Sequence, residues 1–426
     1  MRAGPLLTVG LGLFVVGVAG VVAQRPGVFL ESRDHAAIRY TSNEPRDPVA
    51  VLNRRLRAGE TSLRFDPVSG YLRSTLDALG LPLESQVAVF SQTSFQGDDI
   101  TPTNPRVIYF GDAAAVAWVP GTDILEVAAV DPRQGVMFYS LAQREGATPQ
   151  FRRDEQCLVC HLSWETLAVP GLQVLTTYPT LDANAFALGG TTDHRTPLAE
   201  RWGGWYVTGE PGVAVHLGNG ALPRASGAPR APRLASLADR FDASRYPTAY
   251  SDVVALMVLE HQAHMTNLLV RTGWEGRVAG WDARDPVRSA QGAVNDRVRD
   301  AVRELVDYML FVDEAPLGGP VTGSSGFVEA FARSGRADAA GRSLRQFDLE
   351  RRLMRYPCSY MIYSDLFESL PDAVRDAVYA RLWQVLSGRD ADSRYRRLTR
   401  EDRQAVVEIL RDTKPALPAY FAAAVS

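Results

Sequence analysis

Val107-Ile108-Tyr109-Phe110-Gly111-Asp112 opens a segment, ending at residue 141, in which runs of β-branched and aromatic residues alternate with turn-forming clusters. Together with an earlier run, the segment gives five predicted strands, at 87–90, 107–110, 115–119, 124–130 and 136–141. The connections around Gly111-Asp112, 120–123 and 131–135 are short, whereas parallel strands need crossovers of a dozen or more residues. The sequence therefore predicts an antiparallel meander.

The second half of the chain has the apolar spacing of helices. A long helix is predicted from Ser251 to about Gly273, with one face formed by Val253, Val254, Met257, Val258, His261, Met265, Leu268 and Leu269. Further helices are predicted at 287–311, opened by Asp285-Pro286, at 372–388, and after a capping box at 399–402. Two short helices, at 47–56 and 71–79, precede the strands. We therefore predict an α+β fold, with an antiparallel β-rich N-terminal half followed by a mainly helical C-terminal half.

We divide the chain into four segments. Residues 1–23 form a signal peptide or N-terminal anchor, because Met1-Arg2 is followed by an apolar run that ends at Ala23. Residues 24–150 form the β-meander domain, 151–235 an attachment segment with a linker rich in Gly, Pro, Ala and Arg, and 236–426 the helical region. We expect contact with a membrane only through the N-terminal segment. A net charge of −3 gives no reason to expect nucleic acid as a partner.

Cys157-Leu158-Val159-Cys160-His161 is the segment that indicates a specific chemistry. C-x-x-C-H is the attachment signature of c-type haem, in which both thiols bond to the porphyrin and the histidine binds the iron. A zinc site or a disulfide are the alternatives, but Cys358 is the only other cysteine. Covalent haem attachment takes place outside the cytoplasmic membrane, which agrees with the export signal. The sequence thus predicts one covalent haem c in a periplasmic or otherwise extracytoplasmic protein.

The opposite face of the iron would be completed by a second side chain or stay open. His261 is the first candidate, because it lies on the apolar helical face between Met257 and Met265. His194, in the polar loop that follows the motif, is the second. The alternative interpretation makes His261 a hydrogen-bonded core histidine and His194 part of a turn. We expect His264 to be solvated beside Glu260.

Three longer phrases resemble a family of secreted, uncharacterised c-type proteins with a single haem. They span 194–209, which contains Arg201-Trp202-Gly203-Gly204-Trp205-Tyr206, together with 256–262 and 355–360. The resemblance covers most of the mature chain and brings no activity with it. It implies thioether attachment at Cys157 and Cys160 and a proximal iron ligand at His161.

Three functions follow from a single haem of this kind. The first is electron transfer, with a six-coordinate iron and a redox partner protein. The second is a haem enzyme of the peroxidase or oxidase type, with an open distal side and a small-molecule substrate. The third is a haem-binding or ligand-sensing protein without turnover. A chain of 426 residues is far longer than a minimal electron carrier needs.

Overall fold

The computed structural model describes residues 33–146, 148–177, 189–213, 215–220, 233–284 and 293–425. The predicted signal peptide or anchor lies outside these residues. So do most of the predicted linker and the predicted helix start at Asp285-Pro286.

A six-stranded antiparallel sheet forms the N-terminal half, and its strands lie side by side in chain order. All five predicted strands are present within two residues of their predicted ends, and the meander is confirmed. The sixth strand is short and follows the predicted ones. The bounds are β1 Val87–Val89, β2 Arg106–Phe110, β3 Ala114–Trp118, β4 Ile124–Asp131, β5 Gly135–Ala142 and β6 Arg152–Arg153.

Most of the helical residues lie in the C-terminal half, so the α+β fold is also confirmed. The capping box is present as predicted: the Thr399 side chain accepts from the backbone of Asp402, whose side chain accepts from the backbone of Thr399. The bounds are α1 Pro48–Arg57, α2 Leu72–Leu79, α3 Leu158–His161, α4 Val253–Asp282, α5 Ala293–Met309, α6 Phe327–Arg333, α7 Asp365–Glu368, α8 Asp372–Leu386 and α9 Arg400–Thr413.

Helix α4 is the central element, contacting both the sheet and several helices. The predicted end near Gly273 is wrong, because α4 continues to Asp282. Glycine marks close helix packing here rather than a helix end: a Cβ at Gly276 would lie 2.4 Å from Val374 Cγ2 of α8. Among the described residues, α4 alone is long and apolar enough to cross a membrane, but that apolar stretch is entirely buried inside the protein.

Two short two-stranded antiparallel sheets complete the strands of the described chain. β7 Leu175–Thr177 pairs with β8 Gly189–Thr191, and β9 Glu210–Pro211 pairs with β10 Val321–Thr322. The sequence also has strand-like runs at 172–177, 205–208 and 213–216: the first contains β7, the second makes only isolated bridges, and the described part of the third has no strand. One cluster of buried apolar residues extends from Ile38 to Phe421, so the two halves share a core.

Candidate functional site

The C-x-x-C-H motif forms a short helix at the end of the sheet. Asp154 starts it by accepting a hydrogen bond from the backbone of Gln156, and Cys157 leads into α3. Both motif cysteines are free thiols, so the disulfide alternative is not formed. Burial raises the pKa of the Cys157 thiol to about 12 and also raises that of Cys160. Such thiols stay protonated at neutral pH, unlike the acidic thiol of a dithiol redox pair.

The His161 ring is held in one orientation by the loop that follows it. Its Nδ1 lies 2.9 Å from the carbonyl oxygen of Gly171, and the Gly171 N–H donates back to the His161 carbonyl at 2.9 Å. Because a carbonyl can only accept, Nδ1 carries the proton and Nε2 keeps its lone pair. Nε2 makes no hydrogen bond within the described chain. Burial lowers the pKa of His161, so the imidazole is neutral and able to bind a metal through Nε2.

Asn267 of α4 fixes that loop. Its Oδ1 accepts from the Leu172 N–H at 2.8 Å, and its Nδ2 donates to the Leu172 carbonyl at 2.7 Å. The approach is close enough to exclude a side chain at Gly171, where a Cβ would lie 2.3 Å from Asn267 Oδ1. The carbonyl that orients His161 is therefore positioned by a residue about a hundred positions later in the chain. We call this arrangement the Asn267 clamp.

A cleft of about 250 Å³, the motif cleft, lies beside these groups. Cys157, Cys160 and His161 all line it. One face of the sheet also lines it, through side chains paired across neighbouring strands, and several of these are alanines that leave space above the sheet: Ile108, Ala115, Ala117, Ala128 and Phe138. Leu259 and Ala263 of α4 contribute another part of the lining. The cleft therefore combines an apolar surface with the three groups of the motif.

Two ionised side chains line the motif cleft, Arg106 and Glu126, and they form an ion pair at 3.0 Å. Burial would raise the pKa of Glu126, but the Arg106 guanidinium and a hydrogen bond from Ser94 hold it below its usual value. The carboxylate is therefore ionised at neutral pH. Arg106 Nε is buried and has no hydrogen-bond partner among the described residues.

The structure brings His194 and His261 to each other and not to the motif. Their Nδ1 atoms lie 2.8 Å apart, and His261 Nε2 lies 2.8 Å from Ser359 Oγ. Neither ring lines the motif cleft. His261 is two residues from both Leu259 and Ala263, about 200° around α4, and so lies on the opposite side of the helix. The geometry favours the alternative interpretation: His261 is a hydrogen-bonded core histidine, and His194 lies in a buried turn.

Among the described residues that line the motif cleft, His161 is the only histidine, and none is a methionine or a lysine. Apart from Met1, every histidine and methionine of the chain lies in the described residues, and only His161 lines the cleft. Lys414, the single lysine, bonds to Glu368 and to the Ile362 carbonyl instead. The eleven residues left undescribed between β7 and β8 contain neither histidine nor methionine. No other histidine, methionine or lysine of the described residues therefore lines the cleft in place of His261 and His194.

The three phrases singled out in the sequence meet on the far side of α4. Arg201 and Glu260 form an ion pair at 2.9 Å with 2% and 0% of their side chains exposed, and Thr192 donates to the same carboxylate. Glu260 adjoins His261, which bonds to Ser359 of the third phrase. The expectation that His264 is solvated was wrong, because it is 8% exposed. The phrases therefore form one buried polar network.

No family model, no curated protein and no solved structure matches this chain. The family resemblance accordingly stays a prediction. Sequence reasoning missed Asn267, Arg106 and Glu126. The alternation of Ala115, Ala117, Glu126 and Ala128 could have marked the sheet face, but alternation does not say whether a face is core or cleft.

Proposed function

We propose that this chain is a c-type haem protein of the extracytoplasmic space, with haem bonded to Cys157 and Cys160 and with His161 as proximal ligand. One observation carries the proposal: two protonated thiols and an imidazole with a free Nε2 line the same apolar cleft. The bound group would supply a redox-active iron. Since the enclosed part of the cleft is about 250 Å³, smaller than most ligand pockets, an edge of the porphyrin would remain in solvent.

The helical spacing of the cysteines suits the attachment. Residues three apart on a helix lie on the same side, so the thiols of Cys157, which caps α3, and Cys160, which lies in it, can reach one planar group. Cys157 and Cys160 would hold the group through two thioether bonds, and the addition of a thiol to a vinyl group needs no external oxidant. The Asn267 clamp would hold the imidazole in place during these steps, because it fixes the loop that carries the Gly171 carbonyl.

Of the predicted roles, the open-site role has the stronger support. An electron carrier normally holds its iron between two protein ligands, and the motif cleft offers no second histidine, methionine or lysine. A small molecule could therefore occupy the sixth position, as in a peroxidase, an oxidase or a ligand-binding protein. Arg106 and Glu126 are the ionised side chains that line the cleft, where Arg106 could orient such a ligand and Glu126 could accept a proton from it.

Expression in a host with a cytochrome c maturation system tests the attachment. We expect the purified protein to be red and to keep its pigment after extraction with acidified acetone. A double variant, Cys157→Ser with Cys160→Ser, should lose the covalent pigment, whereas Cys358→Ser should keep it because Cys358 lies elsewhere in the core. A colourless wild-type protein, or pigment that is fully extracted, would contradict the proposal.

Carbon monoxide distinguishes the two roles. We expect the reduced protein to be high-spin and to bind carbon monoxide readily, with His261→Ala giving the same spectrum as the wild type. A low-spin spectrum that carbon monoxide does not change would instead support the electron carrier. In that case a loss of the low-spin spectrum in His261→Ala or His194→Ala would identify the distal ligand.

A further inference from the structure

A second and larger cavity, of about 710 Å³, lies where the first described residues, the β4–β5 turn and α4 meet. Five arginines line it and come from separate elements: Arg39, Arg46, Arg54, Arg133 and Arg277. We call it the arginine cavity. Its volume falls in the range of about 300–1,000 Å³ typical of small-molecule sites. None of its residues belongs to the motif cleft.

Acidic side chains neutralise these arginines only in part: Glu44 and Asp131 also line the cavity, and the charge of Asp131 favours the charged form of Arg277. Asp131 is 1% exposed, and its carboxylate accepts hydrogen bonds from the backbone N–H groups of Arg46, Arg133 and Gln134 at 2.7–2.9 Å. It therefore fixes two of the arginine backbones without forming an ion pair with their side chains. Glu44 pairs with Arg54 at 3.6 Å, in an exposed position. The other four arginines have no ion pair among the described residues.

Two features of the cavity indicate a missing partner. Arg133 lies close enough to Arg277 to disfavour its charge: burial, followed by the charge of Arg133, lowers the pKa of Arg277 to about 10. Gln134 lines the same cavity and is 4% exposed, yet its Oε1 has no hydrogen-bond partner in the described chain. Buried amides of this kind are rare, because leaving one unsatisfied costs about 1–3 kcal/mol.

We propose that the arginine cavity binds a small polyanion with two or more phosphate or carboxylate groups. Arg46, Arg133 and Arg277 would bind it, since a guanidinium fits either oxyanion in a two-pronged contact. The Gln134 amide would donate through its nitrogen, because its two ends can exchange by rotation. A divalent or trivalent ligand would balance the excess positive charge, which a monovalent ion would leave largely uncompensated. This site is independent of the haem proposal.

Isothermal titration calorimetry of the full chain at fixed ionic strength tests the site, with pyrophosphate and citrate as probes and chloride as background. We expect saturable binding of at least one probe, and the stronger one identifies phosphate or carboxylate as the preferred group. Arg133→Ala and Arg46→Ala should each weaken it by roughly tenfold or more, as loss of a charged contact does. Arg389→Ala, which removes the same charge from an exposed position outside the cavity, should change it less than about twofold.

The same titrations also define the results that would overturn the proposal. Absence of saturable binding by either probe at millimolar concentration would overturn the proposal. Equal weakening by Arg133→Ala and Arg389→Ala would overturn it too, since that would indicate attraction to overall charge. Arg46 is exposed and bonds only through its backbone, so its variant should fold normally even if Arg133→Ala does not.

Discussion

Replacing Asn267 with alanine is the sharpest test of how the motif is held. The side chain is 1% exposed and makes two hydrogen bonds, to the N–H and the carbonyl of Leu172. Alanine leaves both backbone groups, which are partly buried, without a protein partner, at up to about 1–3 kcal/mol each. We therefore expect a loss of about 2–6 kcal/mol. At roughly 2 °C per kcal/mol for a large chain, the melting temperature should fall by about 4–12 °C.

Thermal unfolding at one fixed scan rate measures this loss. The matched control is Gln404→Ala, which also removes a side-chain amide, but one that is exposed and bonds only to Glu408. Surface changes of that kind stay within about 0.5 kcal/mol, so the control should melt within about 1 °C of the wild type. An Asn267→Ala protein that melts with the control would refute a stabilising role for the Asn267 clamp.

The haem-loaded protein gives a second readout that depends on the proposed function. A looser loop weakens the hydrogen bond from His161 Nδ1 to Gly171, which makes the imidazole a poorer donor to ferric iron. The reduction potential should then rise, by about 59 mV for each tenfold change in relative affinity for the two oxidation states. A lower melting temperature with an unchanged potential would show that Asn267 stabilises the fold without tuning the iron.

Three further predictions concern the rest of the described core. Arg201→Met should cost about 3–5 kcal/mol in thermal unfolding because it leaves the Glu260 carboxyl buried without its charged partner, and a double change with Glu260→Met should recover most of it; no loss in the single variant would contradict this. The double variant Gly171→Ala with Asn267→Ala should be no less stable than Gly171→Ala alone, because the new Cβ at position 171 collides with Asn267 Oδ1. Stability losses that simply add in the double variant would contradict this. Burial raises the pKa of Glu314 from 4.5 to about 7, so the folded state holds a proton that the unfolded state releases. Stability in urea should therefore fall, by on the order of 3 kcal/mol, as pH rises from about 4.5 to 7, and Glu314→Gln should remove that part of the slope.

The sheet could be predicted from the sequence because its information is local. Each strand is a short β-branched or aromatic run, and the three connections from β2 to β5 are clusters of turn formers, so these four strands had to lie side by side in chain order. β4 and β5 pair along their whole length, from Ile124↔Ala142 to Asp131↔Gly135. The capping box at Thr399 is local in the same way. Its residues are adjacent, so no tertiary contact could override it.

The distal side of the site could not be predicted, and α4 shows why. An apolar stripe identifies the buried face of a helix only when the opposite face is exposed to water. Here the whole stretch from Val253 to Val270 is buried. The sequence pattern therefore cannot tell that His261 lies on one side of the helix and Ala263 on the other. Asn267 was missed for a related reason. It is hydrogen-bonded to Leu172, 95 positions earlier, and nothing in the local sequence indicates that contact.

The buried network on the far side of α4 accounts for the size of the scaffold around a five-residue motif. An ion pair such as Arg201 with Glu260 resists sliding of the helix, because any shift would leave a charge buried and unpaired. His261 restrains the same helix through His194 and Ser359. The same helix carries Leu259, which lines the motif cleft, and Asn267, which clamps the His161 loop. Fixing the helix therefore also fixes the positions of these two side chains. The nine-residue loop between His161 and Gly171 could not orient the imidazole alone. The loop is held rigid by packing that lies outside the cleft.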